Sequence, residues 1–452
     1  MALNRNQFPD NFLWGCSTSS YQIEGAVSED GRGPSIWDEF CAKPGRIRDG
    51  SSGAVACDHY HRWPEDLDLA QNLGVNAYRF SVAWPRIFPD GSGEIEPRGL
   101  DFYDRLVDGI LERSMRPFLT LYHWDLPQAL QLTGGWESRS TVNAFADYAD
   151  VVSRRLGDRV KHWITHNEPW CSSILGYADG VHAPGEKNLK TALQVCHHVL
   201  LSHGVATAVL QQNVRDAKVG IALSLHPVTP YSANADDVAA GIRHDGIRNR
   251  WFLDQLYGRG HPQDIWNLLG DLVPEIQPGD MQHIAIATDF LGVNYYFPET
   301  VKADPTNLPL LSTVCEPGDR NNLDQVEYTD FGWQVAPQGL IDLLLRIQTD
   351  YDPANIYITE NGSTYHDQPT SCGDIVDVKR QHYLQRHIAA ALVAVDSGVN
   401  LRGYFSWSLM DNFEWAEGYL RRFGLVYVDF VSQRRTLKSS GKWYAHFLHA
   451  QR

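Results

Sequence analysis

The chain has 452 residues, 43% of them hydrophobic and 21% charged, and 55 Asp plus Glu against 39 Lys plus Arg give a net charge of −16 at pH 7. That is the composition of a globular protein with a large core, and its negative excess disfavours partners that are themselves anionic, nucleic acid and acidic lipid surfaces alike. A neutral small-molecule ligand is unaffected.

Short β-rich segments recur along the whole chain. Phe12–Cys16, Ala77–Val82, Pro117–Tyr122 and Lys161–Thr165 are followed by Val219–Leu223, Phe290–Asn294, Ile356–Thr359 and Leu401–Trp407, eight in all. Between them lie stretches with helical periodicity, such as Ala144–Leu156, with apolar Phe145, Ala149, Val152 and Leu156, and Leu340–Ile347. Strands alternating with helices imply parallel βα units. Eight such units in a chain of this length predict a single (β/α)8 TIM barrel with long strand-to-helix loops, one catalytic domain over residues 1–452.

An open doubly wound sheet would want a Gly-rich turn after its first strand, and none is present. The nearest run to a phosphate loop, Gly180 to Lys187, has Glu186 where the Lys of such a loop would stand and reads as a plain turn. The least patterned stretch, Lys302–Tyr328, is expected to be a long surface loop overhanging the functional face.

In such a barrel the functional groups stand at the C-terminal ends of the strands. Here those ends are polar and aromatic. Gln22 and Glu24 follow the first segment, Arg79 lies within the second, His123 and Trp124 follow the third, and His166, Asn167 and Glu168 follow the fourth. Asn294 and Tyr296 close the sixth, Glu360 and Asn361 the seventh, and Trp407, with Glu414 and Trp415 beyond it, the eighth. Glu168 and Glu360 are thereby expected to face one another across the barrel mouth, and a carboxyl pair can divide acid and nucleophile work. The surrounding amides, histidine and tryptophans supply hydroxyl partners and flat apolar faces, which a pyranose ring needs.

No cluster of Arg or Lys is placed to clamp a phosphate. His59 with His61, and His197 and His198 with His203, lack a third ligand at plausible spacing, so neither a metal nor a cofactor is expected. Seven cysteines without a Cys-x-x-Cys pair are expected to be reduced thiols. No apolar run approaches the roughly 18 residues that span a bilayer. The first ten residues lack the apolar stretch of a signal peptide, and the expected location is the cytoplasm. The one glycosylation sequon, Asn361-Gly362-Ser363, agrees, because a glycan beside Glu360 would block the site.

At these residues the chain resembles family 1 of the glycoside hydrolases, the β-glucosidase family. The resemblance runs over nearly the whole chain and rests on Phe12 to Gly25, Tyr122-His123-Trp124-Asp125, Asn167-Glu168-Pro169, Ile358-Thr359-Glu360-Asn361-Gly362 and Trp407 to Trp415, in that order. It implies a retaining double displacement, for which the carboxyl groups lie about 5–5.5 Å apart. Glu360 is implied as nucleophile and Glu168 as acid and then base, with Arg79 and Tyr296 keeping Glu360 ionised and Asn294 supporting the acid/base side. Asn167 would hold the 2-hydroxyl, and Gln22, His123, Glu414 and Trp415 would bind the 3-, 4- and 6-hydroxyls. Trp407 would lie beneath the ring, with Trp124 completing the wall. Trp333 is implied as a platform for the leaving group, and Trp170 and Leu175 as the entrance. The substrates implied are terminal non-reducing β-D-glucosyl residues of cellobiose, short β-linked oligosaccharides and aryl β-glucosides, with no nucleic-acid or membrane partner; whether the chain forms a homo-oligomer is left open.

Three positions depart from the family pattern: His166 where Phe is common, Phe297-Pro298-Glu299 after Asn294-Tyr295-Tyr296, and Gln334 for a common Glu. A His166 side chain turned into the site would shift Glu168. Two other functions on the same fold stay open. A 6-phospho-β-glycosidase is disfavoured by Glu414, which repels phosphate. A non-catalytic carbohydrate-binding protein is disfavoured by the presence of both Glu168 and Glu360.

Overall fold

The computed structural model describes residues 3–316 and 326–450. Eight parallel strands close into a barrel: β1 (Leu13–Ser17), β2 (Ala77–Ser81), β3 (Arg116–Tyr122), β4 (His162–Asn167), β5 (Lys218–Ser224), β6 (Phe290–Asn294), β7 (Ile356–Asn361) and β8 (Leu401–Trp407). Each strand pairs with its neighbours in sequence, and β8 returns to β1. These are the eight expected segments, and their ends differ from expectation by at most two residues. The largest differences extend β4 and β7, so that Asn167 and Glu360 belong to the strands themselves.

Strands covered on both faces read as near-continuous apolar runs, and the burial of β1, β2, β4, β6 and β7 is complete along their length. One residue from each strand points inward to plug the barrel: Leu13, Ala77, Phe118, Ile164, Ala222, Phe290, Tyr357 and Phe405. The small Ala77 and Ala222 leave room for the rings, and Phe118 packs at 4.8 Å from Phe405 and 5.3 Å from Tyr357. Outward-facing residues such as Leu119, Val293 and Ile358 pack against the helices in a second, larger core.

The two expected helices lie within Ser140–Leu156 and Pro337–Tyr351. Phe145, Ala149, Val152 and Leu156 form part of the buried face of the first, as the periodicity required. The helix Leu189–Asn213 is long and apolar enough to cross a membrane by length and composition alone, but 78% of its apolar window is buried inside the protein. It packs against Ser140–Leu156 and β4, so its apolar surface belongs to the core.

Lys302–Tyr328 is not one loop. Lys302 lies in the strand Glu299–Ala303, which pairs antiparallel with Ser312–Val314 and parallel with Val228–Pro230. Such short strands carry no periodicity, and the partner Val228–Pro230 comes from a distant part of the chain, so nothing local announces them. Residues 317–325 of that stretch lie outside the described residues.

Phe118 sits at the centre of the plug, and Phe118→Ala is expected to lower stability by about 3–5 kcal/mol. A urea titration should show the midpoint fall at constant slope. A loss below about 1 kcal/mol would show that the interior collapses around the missing ring.

Candidate active site

Simple strand alternation does not bring Asn167 and Glu360 inward. Against β5, β4 advances from Ile164 to Asn167 while its partner advances from Gly220 to Ala222. Against β6, β7 advances from Ile358 to Glu360 while its partner moves only from Val293 to Asn294. Each is a bulge that carries one extra residue and so reverses the facing of the residues beyond it. In β4, Ile164 faces the plug, Thr165 and His166 both bond outward, to His203 and Ser202, and Asn167 turns in again. In β7 the same device turns Glu360 inward. Glu168 follows β4 with φ 48°, and Trp124 and Trp415 also hold positive φ, of 81° and 49°. A left-handed backbone costs a non-glycine residue about 1–3 kcal/mol, and it clusters here at the barrel mouth.

Glu360 accepts hydrogen bonds from Arg79 Nη1 at 2.5 Å and from the Tyr296 hydroxyl at 2.7 Å. Burial pushes its carboxyl up to about 7 against the pull of the Arg79 charge; the neighbouring Glu168 raises it further and the Tyr296 hydroxyl opposes. Glu168 has no cationic partner among the described residues. It accepts from Asn294 Nδ2 at 2.8 Å and from the Cys171 thiol at 3.0 Å. The Asn294 amide is oriented by the Thr359 hydroxyl, which donates to its Oδ1 at 2.6 Å. Asn167 Oδ1 accepts from Arg79 Nη2 at 2.7 Å and from Asn294 at 3.0 Å, which leaves its Nδ2 to face His123 Nε2 at 3.1 Å. Burial, helped by the Arg79 charge, holds the His123 imidazole well below its ordinary range, so it is neutral and can accept that bond.

Beyond β8 the loop through Glu414 and Trp415 forms one end of the site. Gln22 Nε2 donates to Asn412 Oδ1 and Phe413 O, both at 3.0 Å, and reaches Glu414 Oε2 at 3.4 Å. Burial first, then Glu360 and Glu168, push the Glu414 carboxyl well above its usual range. Trp415 packs at 4.5 Å from Trp124, and Trp407 lies at 5.8 Å from His123. The loop is anchored from behind: Lys438 Nζ, fully buried, donates to Asp411 Oδ1 at 2.6 Å and Asp367 Oδ2 at 2.5 Å. Asp411 also accepts from Arg422 at 2.7 Å and from the Gly424 amide at 3.0 Å.

These groups surround a cavity of about 410 Å³. Glu168, Glu360, His123, Trp124, Tyr296, Trp333, Trp407, Glu414 and Trp415 line it, together with Trp170 and Leu175. Gln22, Arg79, Asn167 and Asn294 do not line it; they are fully buried just behind the wall and hold the lining residues in place.

A family model described as glycosyl hydrolase family 1 matches residues 4–452. The chain belongs to that family. Among its relatives, beta-glucosidase A of Thermotoga maritima is 44% identical over 98% of each chain, and beta-glucosidase A of Acetivibrio thermocellus is 45% identical over 98% of each. The solved structure of the family 1 b-glucosidase from Thermotoga maritima is similar throughout, with a TM-score of 0.94 at 43% identity and 98% of each chain covered.

Within this family 1 glycoside hydrolase, the structure also places the other positions that the sequence singles out. His166 points away from the site. The bulge turns it outward, where it lies 4.5 Å from the Phe145 ring and its Nε2 meets Ser202 Oγ at 2.8 Å, so it replaces an aromatic core residue and has no contact with Glu168. Asn361 is fully buried: its amide donates to Tyr295 O and Tyr383 OH and accepts from Tyr404 OH, which leaves nothing for a glycan to join. His59 pairs with Asp66, His197 with Asp280 and His203 with Thr165. Sequence reasoning misses Cys171, although its place three residues after Glu168 on a helical turn puts a donor within reach. It also misses Phe297 and Phe331, which sandwich Trp333 at 4.7 Å and 4.4 Å.

Because His166 lies outside the barrel wall, His166→Phe is expected to leave both limbs of the pH profile of kcat/KM in place and to change stability by less than about 1.5 kcal/mol. A limb displaced by more than about half a unit would show that this residue does reach Glu168 electrostatically.

Proposed function

We propose that this family 1 enzyme is a retaining, exo-acting β-glucosidase that removes terminal non-reducing β-D-glucosyl residues from cellobiose, short β-linked oligosaccharides and aryl β-glucosides. The observation that carries the reading is the unequal surroundings of two carboxyls in one cavity. Glu360 rests on a guanidinium and a phenol, and Glu168 on an amide and a thiol. Negative charge is favoured where cationic and hydroxyl donors already wait. Glu360 is therefore the nucleophile and Glu168 the acid.

The chemistry follows from that asymmetry. Glu360 attacks the anomeric carbon while Glu168 gives its proton to the departing oxygen, forming a glycosyl ester and a free alcohol. A water then enters, Glu168 takes its proton, and the hydroxide displaces Glu360 from the anomeric carbon. Both carboxyls return to their starting states. Asn167, locked by Arg79 and Asn294, acts from behind the wall by holding His123, which lines the cavity. Glu414, backed by Gln22, receives one sugar ring together with His123 and the Trp124, Trp407 and Trp415 faces, which close that end and support removal of single terminal units.

The names of the relatives support glucose as the sugar, and a carboxyl at position 414 is a poor neighbour for a phosphorylated one. No disulfide joins the cysteines among the described residues, which supports a reducing compartment such as the cytoplasm.

Incubation with a 2-deoxy-2-fluoro-β-glucoside bearing a good leaving group is expected to place one sugar on Glu360, located by peptide mass spectrometry. An adduct on another carboxyl would reverse the roles; binding without an adduct would favour a protein that holds sugar and does not cleave it. The Tyr296 hydroxyl lowers the pKa of Glu360, so Tyr296→Phe raises it, and the nucleophile then ionises only at higher pH. The acid limb of kcat/KM should move upward by on the order of one unit. An unmoved or downward-shifted limb would exclude Glu360 as the group that must ionise.

A further inference from the structure

Glu168 works twice in the cycle, once as an acid and once as a base, so whatever holds its carboxyl has to fit both states. Its two oxygens have different neighbours. Oε1 accepts from Asn294 Nδ2, and the Asn294 Oδ1 is already taken by the Thr359 hydroxyl. An amide nitrogen only donates, so Oε1 remains an acceptor throughout. Asn294 stands behind the wall, whereas Cys171 lines the cavity beside Glu168. Oε2, which faces Cys171 Sγ at 3.0 Å, is therefore the oxygen on the cavity side and the one free to carry a moving proton.

Among the described residues, the Cys171 thiol is the only hydrogen-bond partner of Oε2. Glu360, Glu414 and the Tyr296 hydroxyl act on Glu168 through space alone. The backbone sets the place of the thiol: Cys171 N donates to Glu168 O at 2.9 Å, and a π-type helix runs on over Cys171–Ala178. Burial, then the Glu168 charge, push the thiol well above its usual range against the pull of Arg248, and Glu360 adds to the rise, so the sulfur keeps its proton. A thiol is a weak donor and a weak acceptor at once. Towards an ionised Oε2 it donates its S–H; towards a protonated Oε2 the S–H turns aside about the Cβ–Sγ bond and the sulfur accepts. A second amide nitrogen in that place would serve the ionised state only.

We propose that Cys171 is a positioning residue for the acid/base carboxyl: its thiol fixes Glu168 Oε2 as the oxygen that gives and takes the catalytic proton, donating to it when it is ionised and accepting from it when it is protonated. This rests on the β-glucosidase reading above, in which Glu168 is the acid and then the base. In the first step the Oε2–H bond breaks, the proton goes to the leaving oxygen, and the thiol turns to donate to the new carboxylate. In the second an O–H bond of water breaks, its proton goes to Oε2, and the thiol turns back. The sulfur ends each step with the proton it began with.

The test follows kcat/KM for cellobiose against pH in the natural enzyme, Cys171→Val and Cys171→Ser. Cellobiose is chosen because a sugar alkoxide is a poor leaving group and needs the proton. The position of a limb is independent of how much of a preparation is folded. A hydrogen bond donated to an ionised carboxyl favours that state, so its loss keeps Glu168 protonated to higher pH. The basic limb is expected to move upward by about half a unit or more in Cys171→Val, which fills the space and has no donor. In Cys171→Ser, whose hydroxyl donates to the same oxygen, it is expected to stay at or below its natural position, a split that a packing role alone does not produce. Should Cys171→Val be inactive, Cys171→Ala is read by the same criterion. A basic limb unmoved in the apolar variant, or moved upward in Cys171→Ser as well, would overturn the assignment. No hydrolysis of cellobiose by the natural enzyme would instead overturn the β-glucosidase reading, and this inference with it.

Discussion

Arg79 enters the barrel from β2 with none of its surface exposed, and its hydrogen bonds reach three other strands: Thr120 on β3, Asn167 on β4, and Thr359 and Glu360 on β7. A buried cation tolerates no idle donor, so each partner must stand where the guanidinium fork points. Everything else at the mouth takes its orientation from there. Arg79 decides which end of the Asn167 amide faces it, and that choice decides what His123 meets. Thr359 likewise orients Asn294, and Asn294 holds Glu168. A lysine at this position would supply the charge without the planar fork, and the chain of orientations would lose its first link.

The network works because of what lies beneath it. Eight side chains, one per strand, fill the barrel below the mouth and keep that volume dry. Above an apolar floor, charges are poorly screened, and a single ion pair or phenol can separate two chemically identical carboxyls. The two bulges join floor to mouth. They let β4 and β7 present an apolar residue inward at the floor and a polar one inward at the mouth, which strict alternation over those lengths would not allow.

Much of this was legible in the sequence, for identifiable reasons. The barrel strands are local apolar runs, and residues at their ends fall at the mouth by the logic of the fold, so Glu168, Glu360, Arg79 and the tryptophans could be read without coordinates. The facing of His166 could not, because it depends on a bulge that has no sequence signature of its own. Glu299–Ala303 escaped notice because its partners are distant in the chain. Arg248, which also lines the cavity, escaped because it enters from the turn Gly246–Arg250 between two helices, where the rule of strand ends does not look. Nor did sequence distinguish the residues that meet the cavity from Gln22, Asn167 and Asn294, which stand behind it; depth within a wall is set by packing alone.

The anchor behind the loop through Glu414 and Trp415 has a temporal meaning. Glu168 and Glu360 are both made well before Lys438, yet Glu414 and the Gln22 contact depend on a loop whose Asp411 is held by Lys438. A growing chain on the ribosome therefore holds both carboxyls early and the support of the opposite end of the cavity late. The order of synthesis leaves the cavity wall as the last part of the site to be fixed in place.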